Sequence, residues 1–365
     1  MVTASHNPNG WSGFKLGYDF GSTLLPEDIQ ELYQIILNED FVKGDGKVEK
    51  YINIIQDYSN CLISKVTIKK TIKVLVDAGN GTAGPISPLI LEKAGCQITK
   101  QHCDIDFSFP HHEPDPASVK MLEAMSSKVR EIGADIGIGF DGDGDRIGIV
   151  DEKGNIIWPD KFMILLVRQV LKEKPHSKIV FDVKCSQSLI EEIEKNGGEP
   201  IMWKTGHSYI KQKAKAVDAA LAGERSGHIF YRHGYYGYDD ATFCALKLLE
   251  YLSSQDKPLS EIMLDTPQYF TSPTWHTECD DEIKYGIVDK LVKELKEEYG
   301  KDKVIDINGA RVIFDDGWGL VRASSNLPNL VLVFESKTEK GLQRIENIFR
   351  DKLSKYPEVN KKWEN

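Results

Sequence analysis

The sequence predicts a multi-domain α/β chain whose tandem mixed α/β units precede a smaller α+β domain. Three observations carry that expectation. A length of 365 residues suggests about two to four domains. Strand, turn and helix signals alternate over residues 72–152 and again over 159–265, as βαβ units do. After Pro267 the order changes to a helix, short strands and a closing helix.

Each element follows from local chemistry. Pro26 and the apolar spacing of Ile29, Leu32, Ile35, Ile36 and Leu37 predict a helix over 26–38. Residues 39–48, charged and Gly-containing, read as a linker. Residues 72–76 read as a strand that ends in the turn Asp77-Ala78-Gly79-Asn80-Gly81, with a helix near 86–94 and a strand near 96–100 beyond it. Residues 134–140 and 147–150 read as strands on either side of an acidic loop. The next unit holds helix 160–172, strand 179–183, helix 186–196 and a further helix around 241–253. The last part reads as helix 282–299, short strands within 302–314 and 318–323, strand 329–334 and helix 338–354. No internal repeat is strong enough to assert from the residues alone.

Composition narrows the function classes. The chain is 41% hydrophobic and 28% charged, which is ordinary for a soluble globular protein. No stretch approaches the roughly 18 apolar residues a spanning helix needs, and the first residues do not resemble a signal peptide. The expectation is therefore a cytoplasmic protein with no membrane partner. A net charge of −10 argues against nucleic acid as partner. The six cysteines are scattered with no Cys-x-x-Cys pair, so neither a cysteine zinc site nor a disulfide framework is expected. Lys15, Arg146, Lys184, Lys204 and Arg322 fall in or beside the motifs below, and a phosphate-bearing substrate needs such a cluster.

Asp141, Asp143 and Asp145 alternate with glycines in Asp-Gly-Asp-Gly-Asp-Arg. Two carboxylates about 5 Å apart repel by roughly 3 kcal/mol at an effective dielectric near 20. Three together call for a cation, and all-oxygen ligation suits Mg2+. A solvated acidic turn is the bland alternative. A calcium EF-hand fits less well, because Arg146 stands where its loop needs Gly, although Glu152 falls at the twelfth position. Ser5, in Thr-Ala-Ser-His-Asn-Pro, reads as a turn or as a phosphate carrier. In the second reading His6 and Lys15 move a proton or balance charge. Gly79-Asn80-Gly81-Thr82-Ala83-Gly84 after a strand, with Asp104 beyond it, matches a dinucleotide fingerprint and supplies a rival reading, an NAD-dependent oxidoreductase. Glu224, Ser226 and His228 alternate between glycines, and an extended segment would set them on one face to grip sugar hydroxyls. Arg322, Ser324, Ser325 and Asn326, after Asp316-Gly317-Trp318-Gly319, can cradle a phosphate.

In chain order, the five motifs Thr3 to Pro8, Asp141 to Arg146, Lys204-Thr205-Gly206-His207, Gly223 to His228 and Gly317 to Arg322 resemble the α-D-phosphohexomutase superfamily, most of all its bacterial phosphomannomutase/phosphoglucomutase branch. The resemblance implies a four-domain, heart-shaped fold around a central cleft. The expected segments are 1–48 as the remnant of a first domain with the phosphoserine loop, 49–155 with the metal loop, 156–266 with the sugar loop and 267–365 with the phosphate loop. Ser5 would carry phosphate beside His6 and Lys15. Asp141, Asp143 and Asp145 would bind Mg2+ together with an oxygen of the Ser5 phosphate, and Arg146 would lie next to the phosphoryl group. Glu224 and Ser226 would hold sugar hydroxyls with Lys184, Thr205, Gly206 and His207 nearby, and His228 would move a proton. Arg322, Ser324, Ser325 and Asn326 would hold the phosphate that stays.

The implied reaction interconverts hexose 6-phosphate and hexose 1-phosphate, of mannose or glucose, through a hexose 1,6-bisphosphate that also serves as activator. The implied partner is a phosphosugar alone, with the chain a monomer or weak homo-oligomer. A phosphoglucosamine mutase ranks lower, because residue 225 is Arg where that branch tends to have Gln. A weakly active, truncated phosphosugar-binding protein is a third reading. Two features depart from the family's pattern. Members usually carry about a hundred residues before the serine loop, and they read Ser-Asn-Thr-Glu-Pro where this chain has Ser324-Ser325-Asn326-Leu327-Pro328.

Overall fold

The computed structural model describes every residue except Pro8, Phe20 and Asn365. Residues 1–3 pair with residues 13–15: the Thr3 amide donates to the Gly13 carbonyl at 3.0 Å and the Lys15 amide to that of Met1 at 2.9 Å. Helix α1 (Pro26–Leu37) starts with proline at its first position, and the Asp28 carboxylate accepts the Leu25 amide at 2.8 Å. None of its residues is buried, so its apolar stripe covers no core. Residues 41–50 have no regular structure and are exposed throughout.

Five strands make the first sheet: β1 (Lys73–Asp77), β2 (Gln97–Gln101), β3 (Ile136–Phe140), β4 (Ile147–Asp151) and β5 (Ile156–Ile157). Their order is β2-β1-β3-β4-β5, with β1 parallel to β2 and β3, and antiparallel pairing from β3 onward. Alternation along β1 sends Leu75 to one face and Val74 and Val76 to the other. The Leu75 face packs on α4 (Val119–Ile132) through Met121, Leu122, Met125 and Val129. The other face meets α2 (Ile54–Ile63) and α3 (Ser87–Lys93).

The second sheet repeats this plan. β6 (Lys178–Asp182), β7 (Glu199–Trp203), β8 (Leu221–Gly223) and β9 (Ile229–Tyr231) run in the order β7-β6-β8-β9, with only the β8–β9 pair antiparallel. Helix α7 (His207–Ala216) covers one face. Helices α5 (Pro159–Glu173), α6 (Gln187–Lys195), α8 (Ala241–Ser253) and α9 (Leu259–Leu264) contribute to the other. Side chains from both sheets join one continuous core, so the two α/β units are packed as one body. Each unit therefore places a parallel strand at its centre and an antiparallel hairpin, β3–β4 or β8–β9, beside it. This repeat exists in topology and was not apparent in the residues.

The third sheet is antiparallel. β10 (Phe270–Thr271), β11 (Trp275–Glu278), β12 (Val304–Ile305), β13 (Ala310–Phe314), β14 (Gly317–Ala323) and β15 (Asn329–Ser336) follow the order β10-β15-β14-β13-β12, with β11 also on β15. The stretch expected as short strands within 302–314 opens instead with a 3-10 turn at Lys301–Lys303. Helices α10 (Lys284–Tyr299) and α11 (Glu339–Leu353) cover one face. The opposite face, through Trp318, Leu320 and Val333, packs on Val183 of the second unit. At that seam the fully buried Arg311 stacks on Trp318 at 3.6 Å and donates to the carbonyls of Val183 and Cys185 at 2.7 and 2.8 Å. Among the described residues no helix is long and apolar enough to cross a membrane.

Candidate active site

The two equivalent hairpins meet tip to tip. Arg146 and His228 form an isolated antiparallel bridge, and the Ile147 amide donates to the Gly227 carbonyl at 3.2 Å. Both tips lie beyond the carboxyl ends of the parallel strands, where α/β sheets commonly hold ligands. The first tip carries Asp141, Asp143 and Asp145; the second carries Glu224, Ser226 and His228.

The serine loop rests on the first tip. Ser5 Oγ lies 3.3 Å from Asp141 Oδ2 and 3.2 Å from His6 Nδ1. Thr3 Oγ1 donates to Asp143 Oδ2 at 2.7 Å and accepts the Ser5 amide at 2.8 Å. Ser5 takes a left-handed φ of 55°. A Cβ on Gly142 would lie 2.1 Å from the Ser5 carbonyl oxygen, so only glycine permits this approach. Pro8 of the same motif lies outside the described residues.

One carboxylate oxygen from each of Asp141, Asp143 and Asp145 falls in a group whose atoms all lie within 4.8 Å of one another. Asp141 Oδ1 is held by the amides of Asp145 and Arg146 at 2.9 and 3.0 Å. Lys15 Nζ sits 2.8 Å from Asp143 and pairs also with Asp145. The buried Oδ1 atoms of Asp143 and Asp145 have no hydrogen-bond partner among the described residues. Orphaned carboxylate oxygens around an all-oxygen cage are what a hard divalent cation would satisfy. Burial, then Asp145 and Asp143, push the Asp141 pKa well up. Burial opposes the charge on Lys15, but the carboxylates of Asp145 and Asp143 outweigh it and raise its pKa. Burial and then Arg146 push His6 down.

Arg146 Nε donates to His228 Nε2 at 3.0 Å, which leaves the His228 proton on Nδ1. That nitrogen faces Asp239 Oδ2 at 3.0 Å and Asp145 Oδ1 at 3.5 Å. Burial opposes the charge on Asp239, yet His228 and Lys211 hold its carboxyl well below the ordinary range.

The second group lies beside this one. Glu224 is buried, accepts the Gly206 amide at 2.6 Å, and burial raises its pKa. The residues 224–228 form a turn and not the extended segment expected: Gly227 has φ 101° and its amide returns to the Glu224 carbonyl at 3.1 Å. His207 and His228 lie 5.6 Å apart, ring to ring. Thr205 Oγ1 donates to Asp182 Oδ2 at 2.9 Å, and Lys184 Nζ lies 3.3 Å from the same oxygen. Asn308 Oδ1 joins the third group, taking the Thr205 amide at 3.3 Å and Arg322 Nε at 2.9 Å.

Structure and sequence part company at some positions. Ser324 Oγ serves its own loop, accepting the amides of Asn326 and Leu327 at 3.3 and 3.2 Å. Ser325 and Asn326 are exposed and bond each other at 3.3 Å, and among the described residues their side chains make no hydrogen bond to site residues outside this loop. Arg225 turns away, pairing with Asp160 at 3.1 Å and with the Ser272 carbonyl at 3.3 Å. Its identity is therefore tied to a buried ion pair and not to contact with a sugar. The Gly79–Gly84 glycines admit neighbouring chain and not a nucleotide. Added Cβ atoms at Gly79, Gly81 and Gly84 would lie 2.7 Å from Pro114, 2.8 Å from Gly142 and 2.1 Å from Cys103. Sequence reasoning missed Thr3, Asp182, Asp239 and Asn308. Asp182, closing the apolar strand Lys-Ile-Val-Phe-Asp, carried a usable signal.

Known proteins match this chain over most of its length. Four family models match in order: phosphoglucomutase/phosphomannomutase domain I over residues 1–43, domain II over 49–154, domain III over 158–270 and the C-terminal domain over 278–352. A phosphomannomutase/phosphoglucomutase of Pseudomonas putida is 42% identical over 353 residues, covering 97% of this chain and 75% of that protein. A phosphoglucomutase of Neisseria meningitidis is 39% identical over 362 residues, covering 98% and 78%. A crystal structure of a phosphoglucomutase/phosphomannomutase family protein from Burkholderia thailandensis superposes with a TM-score of 0.88 at 36% identity, covering 98% of this chain and 76% of that one.

Proposed function

The chain belongs to the phosphoglucomutase/phosphomannomutase family and is a hexose phosphate mutase, an intramolecular phosphotransferase; on that premise we propose that Ser5 is its phosphoryl carrier. The substrate is a phosphosugar, glucose or mannose phosphate, interconverted between its 6- and 1-phosphates. Transfer out of the enzyme forms a P–O bond at the sugar hydroxyl as the P–Oγ bond of Ser5 breaks. The product, a hexose 1,6-bisphosphate, turns round and returns its other phosphate to Ser5. The same bisphosphate primes a chain whose Ser5 is bare.

The residues divide the work. His228 Nε2 takes the hydroxyl proton once Arg146 turns from it to the phosphoryl oxygens, and Asp239 stabilises the imidazolium so formed. His6, beside Oγ, is placed to return a proton to the departing serine oxygen. Lys15 and Arg146 neutralise phosphoryl charge. Asp141, Asp143 and Asp145 hold the cation, read as Mg2+ from the oxygen set, which when bound offsets charge on the phosphoryl oxygens. Glu224 and Ser226 hold sugar hydroxyls beside Gly206 and His207. Lys184, Thr205 and Arg322, linked through Asp182 and Asn308, hold the resting phosphate, with Ser324, Ser325 and Asn326 at its outer edge.

One observation carries this reading: Ser5 Oγ lies within hydrogen-bonding reach of an aspartate whose two companions keep orphaned buried oxygens. Intact mass after incubation with glucose 1,6-bisphosphate tests it. A gain of about 80 Da that is absent in Ser5→Ala is the expected result. A gain that survives in Ser5→Ala would place the phosphate elsewhere and end the assignment. Chelation with EDTA is expected to abolish turnover of glucose 1-phosphate and mannose 1-phosphate, and added Mg2+ to restore it.

A further inference from the structure

A second cluster of ligating side chains lies behind the acidic tip, and the reaction leaves it unused. Asp77 closes β1, His102 follows β2, and His112 sits in the loop before α4. One ligand atom from each falls in a group whose members are all within 4.8 Å of one another. Asp77 and His112 are buried, and the His102 side chain is 19% exposed.

His112 holds its proton on the outer side of the cluster. Its Nδ1 lies 2.9 Å from the Glu113 carbonyl, which only accepts, so Nδ1 carries a proton. Its Nε2 then faces Asp77 Oδ2 at 3.2 Å with either a second proton or a bare lone pair. The same Oδ2 already accepts Gln101 Nε2 at 2.8 Å and meets His102 Nδ1 at 3.2 Å. Three nitrogens thus converge on one carboxylate oxygen. Metal-ligating histidines commonly donate their other ring N–H to a carbonyl, as His112 Nδ1 does, which leaves Nε2 as the atom that would ligate.

We propose that Asp77, His102 and His112 bind a divalent cation of the zinc class, separate from the cation of the phosphoryl-transfer site. Two imidazole nitrogens and one carboxylate oxygen suit zinc-class ions over magnesium, and the part-exposed His102 is the entry path. The three ligands come from three chain segments that flank the acidic tip. A Cβ on Gly79 would lie 2.7 Å from Pro114, and one on Gly142 would lie 3.4 Å from Pro114 Cγ. Asp115 in the same loop lies 3.9 Å from Arg146. Cation binding here braces the ground on which the acidic tip and the serine loop rest. The equivalent aspartate of the second unit, Asp182, faces Lys184 and Thr205 instead, so the repeated fold uses one position for two kinds of charge.

Cobalt is a suitable probe, because imidazole ligation in a low-coordinate site gives a strong visible band that an oxygen cage does not. The full chain, stripped of metal and held in excess Mg2+, is titrated with Co2+. A band saturating at a single equivalent is expected in the native chain and in Asp143→Asn. It is expected to vanish in His102→Gln and His112→Gln with circular dichroism unchanged. No band in the native chain, a band lost in Asp143→Asn, or a band kept in both histidine variants overturns the proposal. If His112→Gln does not fold, His102→Gln decides alone. Zn2+ should then raise the thermal midpoint of the native chain and not that of His102→Gln, and equal shifts in both would count as refutation.

Discussion

Ser5 holds a left-handed backbone conformation that a serine adopts at a cost of roughly 1–3 kcal/mol. The contact with Gly142 explains how that cost is sustained, because the two loops interlock at backbone level. Gly142→Ala should therefore leave the fold intact by circular dichroism while slowing transfer by roughly 100-fold, since small misplacements are costly in such reactions. In the proposed reaction Asp239 acts through His228 and is a positioning residue. Asp239→Asn should lower kcat by roughly 100-fold with KM little changed, and should move the acidic limb of the pH profile, where a general base is lost to protonation, which a purely structural role would not. His207 supplies a pH test of stability. Burial lowers its pKa from 6.5 to about 4, so the folded protein prefers the neutral ring. Above about pH 6.5 neither state is protonated and the effect vanishes. As pH falls from there toward about 4 only the unfolded chain takes the proton, and on the order of 3 kcal/mol is lost. His207→Gln should flatten that part of the stability curve in urea titrations. The aspartates, Ser5, His6 and Arg146 were legible because their types and spacing announce charge chemistry. Asp239 and Asn308 were not, because a single Asp or Asn acquires meaning only from what folding brings beside it.

Elements with strong local punctuation were readable in the sequence. Helix α8 (Ala241–Ser253) coincides with the expected span, and its Asp240 cap accepts the Phe243 amide at 2.9 Å. Helix α4 escaped notice although Met121, Leu122, Met125 and Val129 form a buried stripe, because Ser, Lys and Glu between them dilute the pattern. Strands β8 and β9 are three residues each, too short for alternation to show. The extended reading of 224–228 failed because Gly227 turns the chain there. In the last domain, α11 can lie on β14 because Gly319 has no side chain: an added Cβ would meet Phe349 at 2.4 Å and Ile345 at 2.9 Å. Gly319→Val should lower stability by about 1–3 kcal/mol in denaturant titrations, the usual range for overpacking. A change within about 0.5 kcal/mol would show that α11 shifts freely.

At the scale of the whole molecule, the seam between the second and third sheets matters most. Arg311 grips the carbonyls on either side of Lys184, so the placement of the C-terminal domain is written into the backbone that presents this lysine. Arg311→Ala leaves two buried carbonyls without this donor, and a buried acceptor left unsatisfied costs about 1–3 kcal/mol. The expected result is a C-terminal domain that melts separately in calorimetry, with a raised KM for hexose phosphate. A single cooperative transition and an unaltered KM would show the seam to be dispensable. The sharing of one core by the first two sheets was invisible in the residues, since it depends on which faces meet. The pairing of hairpin tips through Arg146 and His228 has a further meaning. A molecule that must be handled head first and then tail first meets two copies of one architectural device, knuckle against knuckle. Reversal of the guest then asks for no rebuilding of the host: its two ends trade places while both knuckles stay where they are.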